Sequence, residues 1–437
     1  MGILRPRSPF GNSRAGRPGV GVGDGPGPRA VPIPRLSLMV HVSSAPAAAP
    51  VQRGTLALLA LAGFASSANI RLFDSILPQV SHDFAVTPGE AARLASAYAL
   101  SYGLFQVIMG PLGDRIGKYR LVRILCLASF VTTAGGALAA GFGQLLLARL
   151  LSGASAAAIV PLCIAWVGDT VPAAGRQQVL AMFMSVMLAG VTMGQVIGGF
   201  AGQWADWRVA PVLVGLLFLS AFVALSFGRA ARVPPEKGSG LGLSDLLRLP
   251  ARLAIRTSSR RVLLSVAIEG IAYCTMSFAG LLLAHRFATS FALIGAVLAL
   301  YAIGGVLNPL LMRLLHARIG GARYFTLTCA LSAIGLLLMA LTPVFWVVPF
   351  AVMLAGLGAA ATHSALQAHG TQLVPRARST GFAFFAMTFF LSQSLATTAL
   401  GVMADLTILS LPFFIGAATM LFLGLWAPAR LGDLAED

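Results

Sequence analysis

Apolar residues along this chain come in continuous blocks of about twenty, not at the three-to-four-residue spacing of a helix with one wet face. About 20 apolar residues is what a helix needs to cross the hydrocarbon core of a bilayer. The blocks fall at 55–79, 91–112, 121–140, 143–166, 179–201, 209–228, 262–284, 289–312, 324–343, 345–369, 379–403 and 409–427. Short polar turns separate them, with one longer connection at 229–261. The pattern predicts an all-α membrane protein of twelve transmembrane helices. An even count puts both termini on one side.

The spans divide six and six around the long connection. That layout predicts two pseudo-symmetric six-helix bundles, at 54–228 and 262–428, joined by a basic linker at 229–261. Within the linker, Leu241–Ile255 is expected to form a short amphipathic helix on the inner membrane surface. Paired bundles of this kind are frequent in secondary transporters, whose sites lie between the repeats near the midplane. Residues 1–53, rich in Pro, Gly, Arg and Ala, are expected to form a disordered basic tail. They lack the contiguous apolar stretch and small-residue cleavage site of a signal peptide. A start at Met39 would give a tail of ordinary length, so residues 1–38 are expected to precede the native start. Residues 429–437 form a short C-terminal tail.

Composition sharpens this picture. The 437 residues are 57% hydrophobic and only 10% charged, against roughly a quarter charged in ordinary globular domains. The mean hydropathy is +0.84. The net charge of +17 invites a nucleic-acid reading, which the positions of the charges exclude. With the termini inside, twenty-six of the thirty-one basic residues fall on inner segments and three, Arg93, Arg208 and Arg286, on outer ones. This is the positive-inside bias of a plasma (inner) membrane protein, with anionic lipids as the expected partners of the inner face. Cys126, Cys163, Cys274 and Cys329 all lie within apolar spans and form no close-spaced metal pattern. They are expected to be small packing residues.

The turn between spans two and three reads Gly110-Pro-Leu-Gly-Asp-Arg-Ile-Gly-Lys-Tyr-Arg120. It resembles the loop signature of the major facilitator superfamily at Gly110, Asp114, Arg115, Gly117, Lys118 and Arg120. Arg149-Leu-Leu-Ser-Gly153 in span four is similar to a second motif of that family, with Ser152 where Gln is common. In span five, Gly190, Gly194, Gly198 and Gly199 resemble the glycine motif of its antiporters, with Gln195 in place of the usual Pro. Trp207-Arg208 also fits. Arg71-Leu-Phe-Asp74, Leu77-Pro78, Glu269-Gly270 and His363-x-x-Leu-Gln367 look like the twelve-span drug and metabolite efflux branch. The resemblance spans about 54–428. It implies transport by alternating access, with the Asp114 loop as a gate on the inner side.

Ionisable groups within the membrane are functional candidates because each costs about 2.5–3.5 kcal/mol on insertion scales. Here they are Arg71 and Asp74 in span one, Arg149 in span four, Glu269 in span seven and His363 in span ten. The resemblance implies that these four spans line the central cavity. At 1.5 Å per residue, Asp74 and Arg149 share a depth in the outer half, and Glu269 and His363 share one in the inner half. Two stations are expected: Asp74 with Arg149, and Glu269 with His363. Glu269 is expected to carry the coupling proton, and Asp74 to stay ionised and orient substrate. Asn69, Gln106 and Gln367 are candidate polar residues of the cavity. The glycines at 190, 194 and 198 share one helix face and allow close helix approach, a packing role that is compatible with a coupling one.

These readings point to a proton-coupled secondary transporter exporting a small organic molecule. An uptake symporter shares the fold and remains open, as does a transport-inactive sensor or scaffold. An enzyme is not expected: there is no metal-ligand cluster, nucleophile elbow or ATP motif. The expected partners are a small-molecule substrate, protons and the bilayer, with no nucleic acid and no cofactor, the proton gradient supplying the energy. The chain is expected to act as a monomer.

Overall fold

Proline and a few backbone-seeking hydroxyls decide where the long apolar blocks bend. The computed structural model describes residues 53–228, 256–374 and 378–431. The expected tail, the amphipathic helix of the linker and the last six residues lie outside these. The described residues contain no strand and form twelve helical rods. Span one consists of Arg53–Arg71 and Leu77–Asp83, span two of Pro88–Ile116 and span three of Lys118–Gly135. Span four is Phe142–Ala156 with Ile159–Thr170, span five Ala173–Trp204 and span six Val209–Phe227. Span seven is Thr257–Tyr273 with Met276–Phe287, and span eight Phe291–Val306 with Asn308–Ile319. Spans nine to twelve are Gly321–Leu341, Val348–Gly370, Arg378–Leu406 and Leu411–Leu431. The second bundle thus begins five residues before the expected 262.

A proline inside a helix removes one hydrogen bond and clashes with the carbonyl four residues back. Pro78 lies four residues after Asp74, Pro161 four after Ala157, and Pro309 four after Gly305. Each sits just beyond an interruption: at 72–76 in span one, 157–158 in span four and 307 in span eight. Span seven breaks at Cys274 and Thr275 without a proline. There the Thr275 hydroxyl donates to the Ala272 carbonyl at 2.8 Å, a local bond that competes with the helical ladder. Ten of the rods are long and apolar enough to cross a membrane. The other two, spans one and two, fall below that measure.

Residues 53 and 431 lie at one end, here the terminal end. Tyr119 of span three donates to the Leu225 carbonyl of span six there, at 2.8 Å. Lys118 pairs with Asp169 of span four at the same end. Spans one to six pack together, as do seven to twelve; spans two and eleven, and spans five and eight, join the two sets.

The joints lie in the half away from the termini. Asp405 of span eleven accepts from the Thr87 hydroxyl at 2.6 Å and from the Gly89 backbone N–H at 2.8 Å. Thr87 is the N-cap of span two and accepts in turn from Glu90 N–H in a capping box. The Ser96 hydroxyl meets Ser394 Oγ at 2.9 Å and Thr398 Oγ1 at 2.7 Å. Gln203 of span five accepts from the Phe291 N–H at the start of span eight, at 3.0 Å. Gly199 packs on the backbone of Phe291 and Gly295, where a Cβ would have no room. These cross-bundle hydrogen bonds all lie in that half. The far end is sealed.

Candidate functional site

Each expected station was built on depth alone, and the structure assembles one of the two. Glu269, 1% exposed, lies in span seven and His363 in span ten. Nδ1 of His363 meets Oε1 of Glu269 at 3.1 Å. Oε2 has no partner among the described residues. The imidazole keeps about a third of its side chain exposed (34%) and packs edgewise on Phe389, with centroids 4.9 Å apart. Water-borne protons therefore reach the ring more readily than the carboxylate behind it. Both members belong to the second bundle.

The other station is different from the expected one. Asp74 bonds to Arg71, Nη1 to Oδ2 at 3.0 Å, and not to Arg149. The break in span one folds Asp74 back, so that its N–H donates to the Arg71 carbonyl at 3.3 Å. This local turn brings the residue three positions earlier within reach of the carboxylate. Arg149 instead donates to Asn69, at 3.1 Å to Oδ1 and 3.4 Å to the backbone oxygen. Its guanidinium lies 4.2 Å from the Tyr98 ring centroid and 4.8 Å from that of Phe73. Arg71, Asp74 and Arg149 are all buried, at 2%, 1% and 3% exposure.

Asn69 is fully buried inside the first bundle. Its Nδ2 donates to Thr133 at 3.1 Å and to Ser152 at 2.7 Å, so it braces spans three and four and does not line the cavity. Gln106 is buried, with Oε1 unpartnered among the described residues. Gln367 is half-buried, four residues after His363 and on its face of span ten.

Sequence reasoning passed over the tyrosine that links the stations. Tyr273 follows Glu269 by four residues, hence on the same face of span seven. The Arg71 guanidinium lies 4.3 Å from the Tyr273 ring centroid, across the boundary between the bundles. Tyr273 also touches Phe389 (5.0 Å) and Tyr301 (5.9 Å). Tyr98 and Tyr102 stack at 5.6 Å, and Tyr102 reaches Phe390 of span eleven at 4.6 Å. The rings form a continuous aromatic layer from one bundle to the other. The i,i+4 spacing from Glu269 was the available signal.

In the loop after span two, Gly117 adopts φ 98°, a conformation that costs little only without a Cβ. Asp114 pairs with Lys118 at 3.3 Å, and Lys118 also holds Asp169. These partners all belong to the first bundle. Arg115 and Arg120 are exposed. Gly110 lies within span two. In span five, Gly190, Gly194 and Gly198 lie against the backbone oxygens of Phe64, Ala68 and Leu72 of span one, where a Cβ would collide. They weld spans one and five within one bundle, whereas Gly199 faces the other. The four cysteines are buried and unbridged.

Comparison with known proteins gives the architecture a family. Residues 59–274 match the model of the Major Facilitator Superfamily. A probable transporter of Streptomyces coelicolor is 31% identical over 196 residues, 45% of each chain. The multidrug efflux pump LfrA of Mycolicibacterium smegmatis is 26% identical over 223 residues, 50% of this chain and 44% of the relative. The chain thus spans under half the length of the curated relatives it matches. The nucleoside transporter NupG superposes with a TM-score of 0.71 at 13% identity, covering 86% of this chain and 99% of the other. Fold and family model point the same way: over residues 59–274, just under half of the chain, this multi-pass membrane protein is similar to the major facilitator superfamily, and the relatives above are named as transporters.

Proposed function

We propose that the chain is a proton-coupled secondary transporter that exports a small organic molecule across the plasma membrane by alternating access. The observation that carries this reading is the Glu269–His363 pair: a buried carboxylate with one oxygen unpartnered among the described residues, reached through an imidazole that is about a third exposed. Burying a charge is costly unless it is paired, and the partner of Glu269, His363, is the member of the pair that meets the cavity. The export direction draws support from relatives named for multidrug efflux and puromycin resistance.

In this reading the terminal end is the cytoplasmic one, with both termini inside. Substrate enters between the bundles from that end while the far end is sealed through Asp405, Ser96 and Gln203. Proton gain or loss at Glu269 alters the charge one helical turn from Tyr273, whose ring carries the Arg71 guanidinium of the other bundle. Arg71 and Asp74 orient the substrate beneath the aromatic layer, Gln106 and Gln367 supply polar contacts, and the Asp114 loop gates the terminal side. No cofactor is required, since the proton gradient drives the cycle, and the chain acts as a monomer amid anionic lipids.

The test is transport in everted vesicles with a pH-gradient readout, under a panel of lipophilic drugs and metabolites. Glu269→Gln is expected to abolish proton-driven transport while leaving counterflow exchange. Proton-driven transport at the wild-type rate in Glu269→Gln would refute the assignment.

A further inference from the structure

Spans five and eight pack through glycine in the far half and separate in the terminal one. Gly199 lies on the backbone of Phe291 and Gly295, and Gly295 on the Gln195 carbonyl. Nearer the termini, Leu188 still reaches Gly305. Span eight then breaks at Leu307, and its second piece, Asn308–Ile319, packs on spans nine and ten. Five helical turns take eighteen residues. Gln177 therefore shares a face of span five with Gln195, and Arg313 shares one of span eight with Gly295, apart from the offset at the break. Along these faces the terminal half is uncovered: Gln177 and Ala181 are exposed, Met184 is 45% exposed and Val306 60%. A cleft with apolar walls thus opens between the bundles. It lies at bilayer depth, since the apolar stretches of the two spans run over Gly175–Trp204 and Phe291–Leu315.

The charge around this cleft has one sign. Arg313 lies two residues inside the end of the apolar stretch of span eight. It is exposed and has no ion pair or hydrogen bond among the described residues. Arg318 and Arg323 follow toward the terminal end, also exposed. Spans five, eight, nine and ten contain no Asp or Glu, so none of these helices supplies a counter-charge. Basic pockets between transmembrane helices hold acidic lipid head groups. An apolar cleft under a cationic rim suits both parts of such a lipid, the phosphate at the rim and the hydrocarbon below. A soluble phosphate leaves the apolar walls unfilled, and a zwitterionic lipid brings no net charge to Arg313.

We infer that the cleft between spans five and eight seats one acidic phospholipid from the leaflet at the terminal end. Arg313, with Arg318, holds the phosphate, and an acyl chain lies between Met184 and Val306. The inference requires only the bilayer, not the direction or the coupling of transport, and its test involves no transport.

The full-length chain is reconstituted in an equal mixture of phosphatidylcholine and phosphatidylglycerol and extracted in mild detergent, and the lipid it retains is read by native mass spectrometry. The wild type is expected to keep phosphatidylglycerol in preference to phosphatidylcholine. A basic residue at a membrane surface contributes roughly a fivefold factor in lipid affinity, so Arg313→Gln is expected to retain about fivefold less. Met184→Trp fills the cleft while leaving the arginines in place, and is expected to lower retention as well. Arg260→Gln removes an equal charge from the exposed start of span seven and is expected to change nothing. Equal retention of the two lipids, undiminished retention in Arg313→Gln or Met184→Trp, an equal loss in Arg260→Gln, or displacement by soluble glycerol phosphate would overturn the site.

Discussion

Asp405 offers a direct measure of what holds the far end shut. It is the one carboxylate that bonds across the bundles among the described residues, taking the Thr87 hydroxyl and the Gly89 N–H at 2.6 and 2.8 Å. Asp405→Ala removes both bonds and strips an acceptor from the first turn of span two. Caps of this kind contribute about 0.5–2 kcal/mol, and Asp405 is exposed to solvent, so the full range quoted for buried charged bonds does not apply. About 1–1.5 kcal/mol is the fair expectation, which moves the opening equilibrium roughly five- to twelvefold. A cysteine at Ser96, only 6% exposed and wedged against Ser394 and Thr398, reports that opening. The four native cysteines are buried, which keeps the background low. In lipid nanodiscs, Ser96→Cys with Asp405→Ala is expected to react with a polar maleimide about five to twelve times faster than Ser96→Cys alone. Asp405→Asn, which keeps an acceptor oxygen, is expected to fall between them. Equal rates in all three would show that the cap contributes nothing to closure.

Three further outcomes follow from packing and charge. Gly194→Leu drives a side chain into the Ala68 backbone; overpacking of this kind costs about 1–3 kcal/mol, and a drop of several degrees in the unfolding temperature is expected by scanning fluorimetry. Tyr273→Leu removes the ring under Arg71 while keeping the volume apolar. A cation–π contact is worth about 0.5–2 kcal/mol, so transport is expected to fall between about twofold and thirtyfold with expression unchanged. Pro309→Ala restores the donor missing from span eight and is expected to straighten the rod at Leu307, read as a longer distance between spin labels at its two ends.

The all-helical membrane class was readable from sequence because hydrocarbon imposes one requirement on every crossing helix, which ten of the described rods meet. The breaks were readable in principle from Pro78, Pro161 and Pro309, since each forbids the bond four residues back. Glu269 and His363 were paired from depth, and the structure joins them, because neither has a nearer ionisable rival on its own helix. The same argument misplaced Asp74. Depth ranked Arg149 as its partner, while chain geometry favoured Arg71 three residues away. Asn69 was assigned to a cavity although its amide is consumed by hydroxyls of spans three and four. The Asp405 contact lay beyond sequence reasoning, because it depends on the register of two helices more than three hundred residues apart. The Thr87 to Glu90 capping box was visible, but nothing in it tells that a second carboxylate arrives from the other bundle.

Glu269 and His363 ride on the same half of the molecule, and this bears on how a cycle can run. A contact that bridged the halves would have to be torn at every stroke and remade at the next. In the proposed cycle a bond internal to one half is a passenger: rocking would change which solution it faces and leave its length alone. On that proposal loading and unloading would differ only in the water outside, and the reverse stroke would retrace the forward one.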